Sequence, residues 1–384
     1  MRRTYGGPFA FGLASSLVAA VATPGLERIA CADEHEAEPR WRVNDRTKDE
    51  TNPFRGSAFF LEQSMTTETT DVGMTPQSYV PLYELWLSLR PRYWFDTHWS
   101  VRGRFDYTKE LTNDQTTTLY RQDLLGDTWT DGVYSAKLDG VWKKGSTADV
   151  GLRVIWPTSL ASQAQGIYFR TGPRAGIAHD FELLGDDSFW LQTARVGLAG
   201  AYLRTVASAT TPTSYAGFAH TRENAEGVSF VSDQISGATL IRDELQLVLE
   251  GDLSITPRLG FKTFFAFFNQ WHDAPATTTP IATGTGTYAV PYSGDVQLTQ
   301  MLWFLVDFDY QVIDELALSV GYYNLTNAVA QDGQSRSLFG SENIWWSPDA
   351  RFSFTVTANL DVLYDDVTHR NGRGTAPAPQ AAAR

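Results

Sequence analysis

The chain has 384 residues, a formal net charge of −13 and 13% aromatic residues, with 12 Trp among them. That acidic balance excludes a nucleic-acid binder, which needs clustered Lys and Arg. The only cysteine, Cys31, sits near the N-terminus, so no disulfide and no thiolate metal site is expected beyond it.

Arg2 and Arg3 precede a short apolar run from Phe9 to Ala22, the arrangement of an export signal. Ala20-Val21-Ala22 and Ala30-Cys31-Ala32 both offer small-x-small cleavage sites, so the signal is assigned to residues 1–22, or alternatively ends after 32. Cys31 invites a lipoprotein reading, which Arg28 three residues earlier argues against. After the signal, no run of about 18 apolar residues remains, and no transmembrane helix is expected. Residues 23–54 are acidic, then mixed, and aperiodic: a periplasmic lead-in, or a segment inserted into a pore.

From residue 55 the chain alternates. Trp99, Val101, Gly103, Phe105 and Tyr107 are apolar, aromatic or glycine, while Ser100, Arg102, Arg104 and Asp106 between them are polar. A period of two places each set on its own face of a strand. The pattern predicts strands over 55–64, 79–91, 98–108, 132–143, 148–156, 166–180, 188–204, 240–253, 258–269, 296–310, 315–324 and 350–364. Their connections alternate in length: Tyr93–Thr97, Lys144–Thr147, Leu184–Asp187, Thr256–Pro257 and Val312–Asp314 are short. Met65–Ser78, Glu110–Asp131, Pro157–Gln165, Thr205–Thr239, Gln270–Asp295 and Leu325–Asp349 are longer. Strand 55–64 is the weakest by pattern, and keeping it places all the long connections on one side. Tyr93, Trp94, Phe95, Trp99, Trp142, Trp156, Phe189, Trp190, Trp271 and Tyr310 cluster at strand ends, as interfacial girdles require.

The alternation in Tyr83-Glu-Leu-Trp-Leu-Ser-Leu-Arg90, Leu245-Gln-Leu-Val-Leu-Glu-Gly-Asp-Leu253 and Phe352-Ser-Phe-Thr-Val-Thr-Ala-Asn-Leu360 resembles that of Gram-negative outer-membrane β-barrel proteins. The resemblance is to the class, porin- and transporter-like, over residues 55–364. It implies an all-β fold: an antiparallel up-and-down transmembrane barrel of about 12 strands, with long extracellular loops and short periplasmic turns. It also implies the outer membrane as location, outer-membrane lipid and small solutes as partners, and insertion by the barrel-assembly machinery. An outward row ending at Leu360, Val362 and Tyr364 is similar to the aromatic-ended last strand by which this class is recognised. Residues 365–384, rich in Ala and Pro, are read as a disordered tail beyond the usual end.

With the apolar rows turned to lipid, the inward rows follow. Arg90, Arg102, Arg104, Lys137, Lys143, Arg153, Arg170, Arg174 and Arg195 form a basic arc, with Glu84, Asp106 and Asp139 among them. Glu244, Glu250, Asp252, Asp307, Asp309 and Asp361 form an acidic arc that includes Lys262. Facing lipid, each Arg or Lys near the midplane costs roughly 2–4 kcal/mol. Facing inward, these groups either line a wet pore under a transverse field or pair with one another and glue the interior shut. Trp86, Phe264, Phe268, Met301, Trp303 and Tyr323 also point inward, either to contact an amphipathic solute or to pack against an inserted segment. No histidine has a Ser or Asp at a spacing that suggests a nucleophile and base, and none has metal-ligand spacing. No catalytic residue, metal or cofactor is assigned. The sequence therefore points to passive passage of small solutes through a charge-lined lumen, with a non-conducting structural or surface-binding barrel as the alternative. The oligomeric state is left open.

Overall fold

Period-two segments pair in chain order around a closed ring in the computed structural model, which describes residues 52–70, 82–112, 121, 123–138, 145–184, 190–208, 221–223, 229–231, 240–273, 278–283, 286–291, 298–329, 335–337, 343–347 and 350–373. One sheet holds 14 ladder segments, of which Arg92–Trp94 and Asp123–Leu125 are short extensions, leaving 12 wall strands. They are β1 (Ala58–Thr66), β2 (Tyr83–Arg90), β3 (Trp99–Glu110), β4 (Thr128–Lys137), β5 (Ser146–Trp156) and β6 (Ile167–Glu182). The ring continues through β7 (Thr193–Ala207), β8 (Ile241–Ser254), β9 (Leu259–His272), β10 (Leu298–Ile313), β11 (Leu316–Asn327) and β12 (Arg351–Asn359). Every neighbour pair is antiparallel, and β12 returns to β1 in a register running from Thr66↔Arg351 to Ala58↔Asn359. That seam leaves the wall without an open edge.

Side-chain alternation makes the wall the inverse of a soluble protein. Along β9, from Gly260 to Gln270, even residues are buried and odd ones partly open. Large apolar side chains on the outward phase stand open, including Val320 at 61% and Leu198 at 55%, while Arg104, Asp131, Arg153 and Asp309 on the inward phase are buried. An apolar exterior around a closed ladder is the arrangement lipid demands, because no water is present there to satisfy an open strand edge. The expected transmembrane β-barrel is present, with all twelve strands.

The start of β1, the end of β12 and the turns 255–258 and 314–315 lie at one rim. Tyr93, Phe95, Trp99, Trp190 and Tyr310 stand open near this rim, and Trp156 and Tyr168 near the other. Trp94 departs from the girdle: its ring lies between the guanidinium groups of Arg55 and Arg92, at 3.9 and 4.0 Å. Within the connections at the opposite rim are a helix, α1 (Leu160–Ala164), and two small antiparallel ribbons, Thr221–Glu223 with Ser229–Val231 and Thr278–Thr283 with Gly286–Pro291. Residues 343–347 lie against the outer wall, where Asn324 donates to the Ile344 carbonyl (2.8 Å) and accepts from Ser347 Oγ (2.5 Å). The expected signal at 1–22, most of the lead-in at 23–54, and Lys143, Asp139, Trp142 and Phe189 lie outside the described residues.

The last strand is corrected. It ends at Asn359, and residues 360–364 enter a helix, α2 (Leu360–Arg373), rather than extending the outward row to Tyr364. The reason is the partner strand: β1 begins at Ala58, so Asn359 is the last residue with an opposite number, and Leu360 N closes the ladder on the Ser57 carbonyl at 3.1 Å. Past that point Leu360, Leu363, Tyr364 and Val367 satisfy helical spacing. The barrel therefore closes at 359 rather than 364, the outward row of β12 ends at Ala358, and residues 365–373 of the expected disordered tail are helical.

Placing a charge outside separates this fold from a soluble one. Leu198→Arg is expected to lower stability by about 2–4 kcal/mol in urea unfolding from lipid vesicles, whereas an exposed leucine of a soluble protein would accept arginine at almost no cost.

Candidate functional site

The inward phase is fixed by register, and it gathers the ionisable groups into pairs that follow the wall. Asp131 on β4 is fully buried and accepts both Nε (2.7 Å) and Nη2 (2.8 Å) of Arg153, its direct partner on β5. Arg174, one strand further on β6, reaches the same carboxylate. Arg195 on β7 meets its register partner Asp180 on β6 at 2.9 Å. Arg170 on β6 reaches over β7 to Glu244 on β8 at 3.1 Å, and Glu244 also accepts from Gln246 (2.6 Å) and Gln270 (2.9 Å). Lys262 on β9 pairs with Asp309 on β10, and Ser319 Oγ donates to the same carboxylate at 2.5 Å. Arg351 on β12 reaches over β1 to Glu84 on β2. Each of these pairs joins strands that are adjacent or next but one.

Aromatic rings are interleaved with the guanidinium groups on the first five strands. Arg90 lies 4.4 Å from the Phe60 ring and 5.4 Å from Trp86. Arg104 lies 5.4 Å from Trp86 and 5.0 Å from Trp129, and Arg153 lies 3.8 Å from Trp129. The resulting stack, Phe60–Arg90–Trp86–Arg104–Trp129–Arg153, holds long cationic side chains flat against their own wall. Arg104 is fully buried and also meets Asp106 at 2.5 Å.

Most of the sequence-derived residues fall inside the barrel. Arg90, Arg102, Arg104 and Arg153 are buried, and Arg170, Arg174 and Arg195 are largely so. Among the acidic residues Glu244, Asp307 and Asp309 are buried, while Glu250 and Asp252 are half-buried. Lys137 shares the inward parity but sits exposed at the rim. Asp361 is corrected: it belongs to the first turn of α2, fully buried, where it accepts from Gly56 N at 2.8 Å.

The basic arc is also less uniform than the sequence reading had it, because Asp131, Asp149 and Asp180 lie within it. Parity alone could have found them: 131 matches 137, 149 matches 153, and 180 matches 170 and 174. Asp131 falls outside the strand predicted over 132–143, because the observed strand begins four residues earlier, at Thr128. Arg351 was missed on the acidic side, although it shares parity with the inward residues of β12.

Phe264, Phe268, Met301, Trp303 and Tyr323 form one buried apolar cluster with Ala266 on β9–β11, in which Phe264 meets Trp303 edge-on at 4.8 Å. Trp86 stands apart from it, between Arg90 and Arg104. Pairing also unites Ser146 and His179, 33 residues apart in sequence: Ser146 Oγ lies 2.8 Å from His179 Nδ1 on the outer wall. Phe181 packs edge-on against that ring at 4.4 Å, while Asp180, the next residue, turns inward to Arg195. A hydroxyl and an imidazole alone fall short of a nucleophile, a base and an orienting group. Among the described residues, no group of three His, Cys, Asp or Glu could hold a metal ion.

No protein-family model and no curated protein matches the chain. Solved structures do. An outer membrane channel from Pseudomonas putida F1 is 9% identical, with 79% of this chain and 94% of that one covered at a TM-score of 0.44. The NanC porin is 10% identical, with 78% and 98% covered at 0.36. The Salmonella typhi outer membrane phospholipase dimer is 9% identical, with 83% and 98% covered at 0.31. Superpositions this loose add nothing to what the barrel itself shows.

Asp131 anchors two arginines, so Asp131→Ala strands buried positive charge. It is expected to cost about 3–5 kcal/mol, measured by urea unfolding in vesicles against the wild-type protein.

Proposed function

We propose that the protein is a channel of the bacterial outer membrane that lets small solutes pass down their gradients. The observation that carries this reading is the direction of the ion pairs. A cross-linked interior would tie opposite walls together. Here Arg153–Asp131, Arg195–Asp180, Arg170–Glu244, Lys262–Asp309 and Arg351–Glu84 all run along the wall between near-neighbour strands. Width supports the same conclusion: twelve strands about 4.8 Å apart and tilted by about 40° form a ring roughly 24 Å across, whereas about eight strands give the width that side chains fill.

Selectivity would follow from the unequal walls. Guanidinium groups predominate on β2–β7, and Glu244, Glu250, Asp252, Asp307 and Asp309 on β8–β10. Opposed fields of this kind orient dipolar solutes and favour one sign of ion. The apolar cluster around Phe264 and Trp303 offers such solutes a greasy flank. A non-conducting barrel, acting through its surface, is the second reading. The full burial of Arg104 and Asp131 favours it.

Planar-bilayer recording and liposome swelling with small sugars separate the two. The expected result is conductance and swelling; a correctly folded protein giving neither overturns the channel reading. Arg174→Ala should raise the cation-to-anion permeability ratio by about twofold or more, read from reversal potentials.

A further inference from the structure

Helix α2 is built the wrong way round for water. Leu360, Leu363, Tyr364 and Val367 recur at i, i+3, i+4 and i+7 and form a single apolar side. A helix docked on a soluble protein turns such a side inward. Here the polar side is docked: Asp361 is fully buried and accepts from Gly56 N at 2.8 Å, and Asn52 Nδ2 donates to the Asp361 carbonyl at 3.2 Å and to Asp365 Oδ1 at 2.8 Å. The apolar side faces out, with Leu363 and Tyr364 each 41% open and Val367 59% open.

That side is not isolated. The Tyr364 ring meets Phe54 edge-on at 5.0 Å, Phe54 meets Tyr93 at 5.6 Å, and Tyr93 meets Phe95 at 5.2 Å. Phe54, Tyr93 and Phe95 are themselves open, and they stand at the rim where β1 begins and β12 ends, at the limit of the lipid-facing band of the wall. The row of rings thus joins the helix to the surface that already faces lipid. We infer that α2 is an interfacial helix, held to the barrel by its carboxylates and lying with Leu363, Tyr364 and Val367 in the lipid leaflet at that rim. A residue on the polar side ties the helix to the chain before β1, so the seam strands and the helix seat together.

The inference rests on the membrane placement of the barrel and not on conduction. The test uses the full-length protein with Cys31→Ser, reconstituted in phosphatidylglycerol–phosphatidylcholine vesicles and checked by its unboiled gel mobility. Nitroxide labels at Val367→Cys, Asp366→Cys and Leu198→Cys are compared by power saturation with oxygen and with a water-soluble nickel complex. The oxygen-to-nickel accessibility ratio at 367 should exceed that at 366 by about threefold or more and approach that at 198. A water-like ratio at 367 beside a lipid-like ratio at 198 overturns the helix placement alone. A water-like ratio at 198 overturns the barrel's membrane placement as well. Low access to both reagents at 367, with dipolar broadening between labels, would mean that a second copy covers the helix, and that also overturns the lipid assignment.

Discussion

A backbone amide in hydrocarbon has no water to turn to, and that constraint governs the rest of the molecule. Strands can cross lipid only if every ladder is paired, which requires the first strand to find the last. Here β1 and β12 meet over the whole of β1, from Ala58↔Asn359 to Thr66↔Arg351. Closure fixes the strand count and makes the inward and outward sets of side chains inescapable. Once one residue of a strand is inside, register decides the place of all the others.

The interior then has to accommodate charge. Its solution is local neutralisation along the wall, with Asp131 shared by Arg153 and Arg174 and with Glu244 shared by Arg170 and two glutamines. Rings of Trp86 and Trp129 between Arg90, Arg104 and Arg153 keep these long side chains against the strands that carry them. A pair that lies along the wall ties neighbouring strands to one another.

Regularity stops at the rims, where the ladder runs out and other forces decide. At Asn359 the absence of a further partner on β1 turns the chain from strand to helix. On the opposite side, Asn324 would present an amide to lipid, and the segment 343–347 covers it and satisfies both its atoms. Ser146 and His179 form a comparable contact on the outer wall, made possible only by cross-strand pairing.

Period-two alternation, read residue by residue, determined the fold class, the twelve strands and the inward phase of Arg104, Arg153, Phe264 and Trp303, because a strand's geometry is set by its nearest neighbours in sequence. Parity also carries Asp149 and Asp180, which lie within the strands predicted over 148–156 and 166–180, whereas Asp131 falls just outside the strand predicted over 132–143. Other features were decided by tertiary structure: which carboxylate meets which arginine, the end of β12 at Asn359, the helical fate of Asp361 and Tyr364, and the meeting of Ser146 with His179. Each depends on the register between strands far apart in sequence. A stretch such as Leu360–Val362–Tyr364 fits a strand or a helix equally well until it is known whether a partner strand lies alongside.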